Sequence, residues 1–77
     1  MSPKLPRINA SQLLRALHRD GWEEFRQTGS HLHLTHPARP GTLVTIALHA
    51  NQDIPVGTLS AILKQAGMTA DDLRALL

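Results

Sequence analysis

Two short runs of strict alternation constrain this chain most. From Ser30 to His36, Leu32 and Leu34 share one parity while His31, His33 and Thr35 share the other. From Thr42 to His49, Val44, Ile46 and Leu48 alternate with Thr45, Ala47 and His49. Side chains of a strand point to opposite faces with period two, so each run predicts a strand with one apolar and one polar face. Pro37-Ala38-Arg39-Pro40-Gly41 lies between them and reads as a loop. A sheet built on these strands has one face to bury and one left to water.

The flanking segments supply the cover. A helix is predicted from about Ala10 to Asp20, capped by Asn9 or Ser11, with Leu13, Leu14 and Leu17 as its stripe and Ile8 as a staple before the cap. Gly21 ends it. Trp22 to Thr28 is a first strand whose alternation is broken, because Trp22 and Phe25 differ in parity; either the strand carries a bulge or Trp22 belongs to the turn. Thr28-Gly29 makes a tight connection into the second strand. After a loop over 50–55, Pro55 opens a helix from Val56 to Ala66 with Leu59, Ile62 and Leu63 on its apolar face, and Gly67 stops it. Thr69 and Asp72 have capping-box spacing for a last short helix to Leu77. Met1 to Ile8, with Pro3 and Pro6, reads as a flexible N-terminal arm. The expected fold is α+β, ordered α-β-β-β-α: a three-stranded antiparallel sheet with both long helices on one face, plus a short C-terminal helix.

Size limits what such a fold can do. Its 77 residues make one domain the only sensible count. A domain of this length buries only about 60% of the surface its unfolded chain exposes. Ordering it costs on the order of 100 kcal/mol, at roughly 1.5 kcal/mol per residue. A site is therefore expected to be shallow, suited to an extended substrate rather than an engulfed metabolite. The absence of cysteine excludes disulfides and thiolate metal sites. No signal peptide or membrane-spanning run is evident, so a soluble cytoplasmic protein is expected, with no membrane partner. A formal charge of +2 permits nucleic-acid binding without requiring it.

Five histidines in so short a chain are the unusual feature, and His31, His33 and His36 fall within six residues. His31 follows Gly29 and Ser30 at a hairpin turn and points away from the expected core. An imidazole with an ordinary pKa near 6.5 suits proton transfer at neutral pH. The competing readings are a polar residue on a wet sheet face, and a zinc site of His31, His33 and His49. Arg26 and Lys64 read first as solvated charges, with phosphate contact as the functional alternative. No phosphate-binding glycine loop is present. The α-β-β-β-α layout also suggests the double-stranded RNA-binding domain, which grips phosphates with basic residues at the start of its last long helix. Here that position reads Asp53-Ile54-Pro55-Val56-Gly57-Thr58, with no basic residue, which disfavours duplex binding of that kind.

Three segments together resemble the HicA family of bacterial toxin ribonucleases. They are Gly21-Trp22-Glu23 through Arg26-Gln27-Thr28-Gly29-Ser30-His31, Val44-Thr45-Ile46-Ala47-Leu48-His49, and Pro55-Val56-Gly57-Thr58-Leu59 leading to Ile62-Leu63-Lys64-Gln65-Ala66-Gly67. The resemblance runs from about Asn9 to Asp72. It implies a fold like the double-stranded RNA-binding domain, a toxin that cleaves messenger RNA, and a HicB-type antitoxin that holds it inactive. It puts the family's catalytic histidine on His31. The expected chemistry is cleavage of single-stranded RNA without a metal or other cofactor. His31 acts as general acid or base, and Arg26, Ser30, Lys64, His33 and His49 are candidate substrate contacts.

Overall fold

Asn9 accepts from the Gln12 amide at 2.9 Å while the Gln12 side chain accepts from the Asn9 amide at 2.9 Å, which closes a capping box at the start of the first helix. That helix, α1, spans Ala10–Arg19 and buries Ala10, Leu13, Ala16 and Leu17, with Leu14 only partly covered. The computed structural model describes residues 5–48 and 52–77. Within them the order is α1, β1 (Glu23–Thr28), β2 (His31–Thr35), β3 (Val44–Ala47), α2 (Val56–Ala66) and α3 (Ala70–Leu76). The strands form one antiparallel sheet in the order β1-β2-β3. The chain is an α+β fold of the double-stranded-RNA-binding-domain-like kind, with α3 appended.

The alternation resolves as expected. Leu32, Leu34, Val44 and Ile46 are buried and join Leu13, Leu17, Leu59, Ile62, Leu63 and Leu73 in one apolar cluster, so the helices cover one sheet face. Leu48 packs against the edge of that cluster. α3 is capped by Thr69, which with Asp72 forms a second capping box. Hydrogen bonding to the Thr69 backbone N–H, and then to its side chain, holds the Asp72 carboxyl below its ordinary pKa.

Both alternatives for the first strand hold together. Trp22 sits before β1 and is buried in the turn, its Nε1 donating to Asp20 Oδ2 at 3.2 Å. The register also slips between Glu24 and Arg26, making Phe25 the extra residue of a bulge. All six residues of β1 are exposed, because β1 is an edge strand beyond the cover of the helices. The other two strands are shorter than the alternation predicts. β2 stops at Thr35 because His36 turns out of the ladder: its carbonyl accepts from the Arg39 amide at 3.0 Å, and its ring reaches Asp20.

The arm expected over 1–8 differs from what the chain does near the core. Leu5 packs against the apolar cluster and Ile8 is buried in it. The Ile8 carbonyl accepts from the Ile54 amide at 2.8 Å, and Asn9 bridges Asp53 in antiparallel fashion. A backbone partner forty-six residues away, and an apolar side chain with a place to go, dock this segment. Residues 1–4 lie outside the described residues.

Candidate active site on the open sheet face

The cross-strand register fixes what the uncovered face presents. One row runs Thr28, His31, Ala47. The next runs Arg26, His33, Thr45, with Phe25 bulged beside Arg26. The third begins Glu23, Thr35, and the parity of β3 extends it to Leu43. Neighbouring rows are about 6.7 Å apart along a strand. His31 is thus on the central strand, one row from His33 and diagonal to Arg26.

The two-residue connection Gly29-Ser30 delivers His31 to that place. Gly29 takes a φ of +59°, which a glycine adopts without cost. Gln27 Nε2 donates to the Gly29 carbonyl at 3.0 Å, and the Ser30 carbonyl accepts from the Leu48 amide at 2.6 Å, so the turn is tied to both neighbouring strands. Ser30 itself is exposed, beside His31.

The four described histidines differ in what their rings are doing. His36 Nε2 donates to the Asp20 carbonyl at 2.7 Å, while the Ala38 amide donates to His36 Nδ1 at 3.0 Å. An acceptor on one nitrogen and a donor on the other fix the neutral Nε2–H tautomer. His36 also meets Trp22 edge to face at 5.2 Å, so it is a structural part of the α1–β1 corner. His18 faces Glu24 at 3.7 Å. His33 is half-buried, with Nδ1 at 2.9 Å from Thr45 Oγ1. His31 is exposed, and among the described residues neither of its ring nitrogens has a hydrogen-bond partner.

One other expected contact, Lys64, falls elsewhere. Lys64 is in the last turn of α2, in the layer on the covered side of the sheet. The end of that helix, at Gly67, approaches Arg39 of the β2–β3 loop, at the opposite end of β2 from His31. Helical periodicity placed Lys64 beside an apolar face correctly, but it carries no information on which end of the sheet that face covers. Lys64 is therefore not part of the His31 site. His49 lies outside the described residues, so the His31, His33, His49 arrangement is not described; among the described residues no three His, Cys, Asp or Glu side chains converge.

A cavity of about 340 Å³ opens where β3 meets the start of α2, lined by Ala47, Asp53, Pro55 and Thr58 among others. Its described lining holds one carboxylate and no histidine, lysine or arginine. Proton-transfer groups are concentrated instead on the open face, which is shallow, as a chain this short leads one to expect. Sequence reasoning missed Phe25 there. The broken parity was its only signal.

The family model described as HicA toxin of bacterial toxin–antitoxin systems matches residues 10–68. This chain belongs to the HicA toxin family. A search of the curated proteins returns no match. Family membership makes the chain a toxin of a toxin–antitoxin system, with an antitoxin as its partner. The matched stretch includes α1, the whole sheet and α2, and so every described residue of the open face.

Proposed function

We propose that this HicA toxin is an endoribonuclease that cuts single-stranded messenger RNA in the cytoplasm, with His31 as its catalytic acid or base. The observation that supports this most is the unengaged imidazole of His31 on an open, shallow face, one row from a second histidine and diagonal to an arginine. A ribose 2′-hydroxyl beside its own phosphate is an intramolecular nucleophile, so the protein has little to supply beyond orientation, proton transfer and charge. One imidazole takes the 2′-hydroxyl proton as the 2′-oxygen bonds to phosphorus. The bond from phosphorus to the 5′-oxygen breaks, and that oxygen receives a proton from the other side. His33 is the second partner. Its Nδ1 contact with Thr45 orients the ring and leaves Nε2 to exchange the proton. Arg26, paired with His33, neutralises charge on the phosphorane, and the Ser30 hydroxyl donates to a phosphate oxygen.

A HicB-type antitoxin inhibits the toxin by covering this face. The test is cleavage of a defined single-stranded RNA by the wild-type protein and by His31→Ala. The variant is expected to remain folded, since His31 is exposed, and to lose about 10²- to 10⁴-fold in kcat/KM. Undiminished cutting by the variant overturns the assignment. So does activity that a chelator abolishes and zinc restores, which points instead to a histidine metal site. Binding of RNA that weakens with salt but produces no new ends identifies a binding module.

A further inference from the structure

The chain has two aromatic residues apart from histidine, Trp22 and Phe25. Trp22 is 1% exposed and buried in the apolar cluster; Phe25 is 65% exposed and is not one of its buried members. A core otherwise built of Leu, Ile, Val and Ala leaves its only phenylalanine outside. A lone exposed apolar side chain is ordinary. Phe25 differs because a bulge places it. With the register slipped between Glu24 and Arg26, Phe25 and Arg26 together oppose His33 on the central strand. A bulge re-aims a side chain and is common next to functional sites. The result is an exposed aromatic ring, a guanidinium and an imidazole gathered at one register position, a single row from His31.

We infer that Phe25 is the stacking platform for an RNA base next to the scissile phosphate, a role that rests on the RNA-cleaving function proposed above. Single-stranded nucleic acid is held by aromatic rings that stack on bases beside cations that meet the backbone. Phe25 and Arg26 are that pair in adjacent positions. The carboxylates set the direction. Glu23 and Glu24 lie on the side of Phe25 away from the hairpin, while Arg26, Ser30 and His31 lie toward it. The phosphate goes toward His31 and the stacked base sits back over Phe25. Because every base has a π face, the contact adds affinity without selecting sequence.

The experiment compares wild-type protein, Phe25→Ala and Phe25→Trp on a defined single-stranded RNA, with inhibition by the antitoxin measured in parallel. Phe25→Ala is expected to raise KM about 5- to 150-fold with kcat within about threefold, and Phe25→Trp to restore KM. An abasic RNA at the stacked nucleotide is expected to weaken the wild-type protein as much as Phe25→Ala does, and to cost that variant nothing more. An unchanged KM for Phe25→Ala overturns the inference. So does a variant that cuts RNA normally but escapes the antitoxin, which assigns Phe25 to the protein interface. If wild-type protein cuts no RNA, the catalytic assignment fails by itself, and RNA affinity then decides Phe25 alone: equal binding by wild type and Phe25→Ala refutes stacking.

Discussion

Replacing Gly21 by alanine tests the corner that links α1 to the sheet. The backbone there has a φ of +102°, outside the regions an L side chain adopts readily. A Cβ at this position stands 2.7 Å from His36 Nε2 and 3.3 Å from its Cε1. The strained backbone costs about 1–3 kcal/mol. The ring must also move, and its hydrogen bond to the Asp20 carbonyl contributes about 1 kcal/mol. A loss of about 3 kcal/mol results, against a total stability of roughly 3–5 kcal/mol for a domain this small. At about 4–8 °C per kcal/mol for a chain of this length, Tm falls by about 12–24 °C.

A double-mutant cycle separates the two contributions. Wild type, Gly21→Ala, His36→Ala and the double variant are unfolded in urea, all with the same stabilising osmolyte so that each starts folded. With His36 already gone there is nothing to strike, so Gly21→Ala then costs only its backbone strain. The two changes are expected to be non-additive by about 1 kcal/mol. Additivity within about 0.5 kcal/mol refutes the contact. A functional consequence travels with it: His36→Ala lowers stability but, per folded molecule, leaves RNA cleavage within about threefold of wild type, in contrast to His31→Ala.

Two further predictions concern the other polar contacts. Thr45→Val removes the oxygen that faces His33 Nδ1 at 2.9 Å, and is expected to cost about 1 kcal/mol in urea unfolding and to reduce kcat more than it raises KM; an unchanged kcat removes His33 from the reaction. Asp72→Asn isolates the second capping box. Because the folded-state pKa of Asp72 lies below its ordinary 3.8, the carboxylate stabilises the fold above that pH, and the contribution is lost as pH falls through the folded-state value. The stability gap between wild type and Asp72→Asn is therefore expected to shrink on acidification below about pH 4, and a gap that widens contradicts the sign.

What the sequence revealed, and what it concealed, follows from range. The start and end of α2 coincide with expectation because Pro55 and Gly67 act on their own neighbours. The parities of β2 and β3 hold because a sheet with one covered face punishes a one-residue slip across a whole strand. The docking of Ile8 was concealed, since its backbone partner is Ile54 and no local pattern announces a contact at that separation. The position of Lys64 was concealed for the same reason: a helix shows which of its sides is apolar, and tertiary packing decides what that side covers. At Phe25 the pattern gave a contradiction that was itself informative. Two aromatics of opposite parity in one strand required a bulge or a turn, and the chain has both.

The histidines carry the same lesson into chemistry. Composition makes them equivalent, and spacing groups His31, His33 and His36. Hydrogen bonding then divides them. His36 has both nitrogens committed to backbone groups, and its ring braces the corner against Trp22. His33 has one nitrogen committed and one to spare, which suits a group that must be oriented and still exchange a proton. His31 has neither committed among the described residues and stands at the turn, where a strand of RNA can reach it. A proton-transfer group needs a free nitrogen at the reacting atom and a fixed backbone behind it. The bonds to the Gly29 and Ser30 carbonyls fix that backbone without touching the ring, so the Gly-Ser-His turn holds His31 still while leaving its imidazole available.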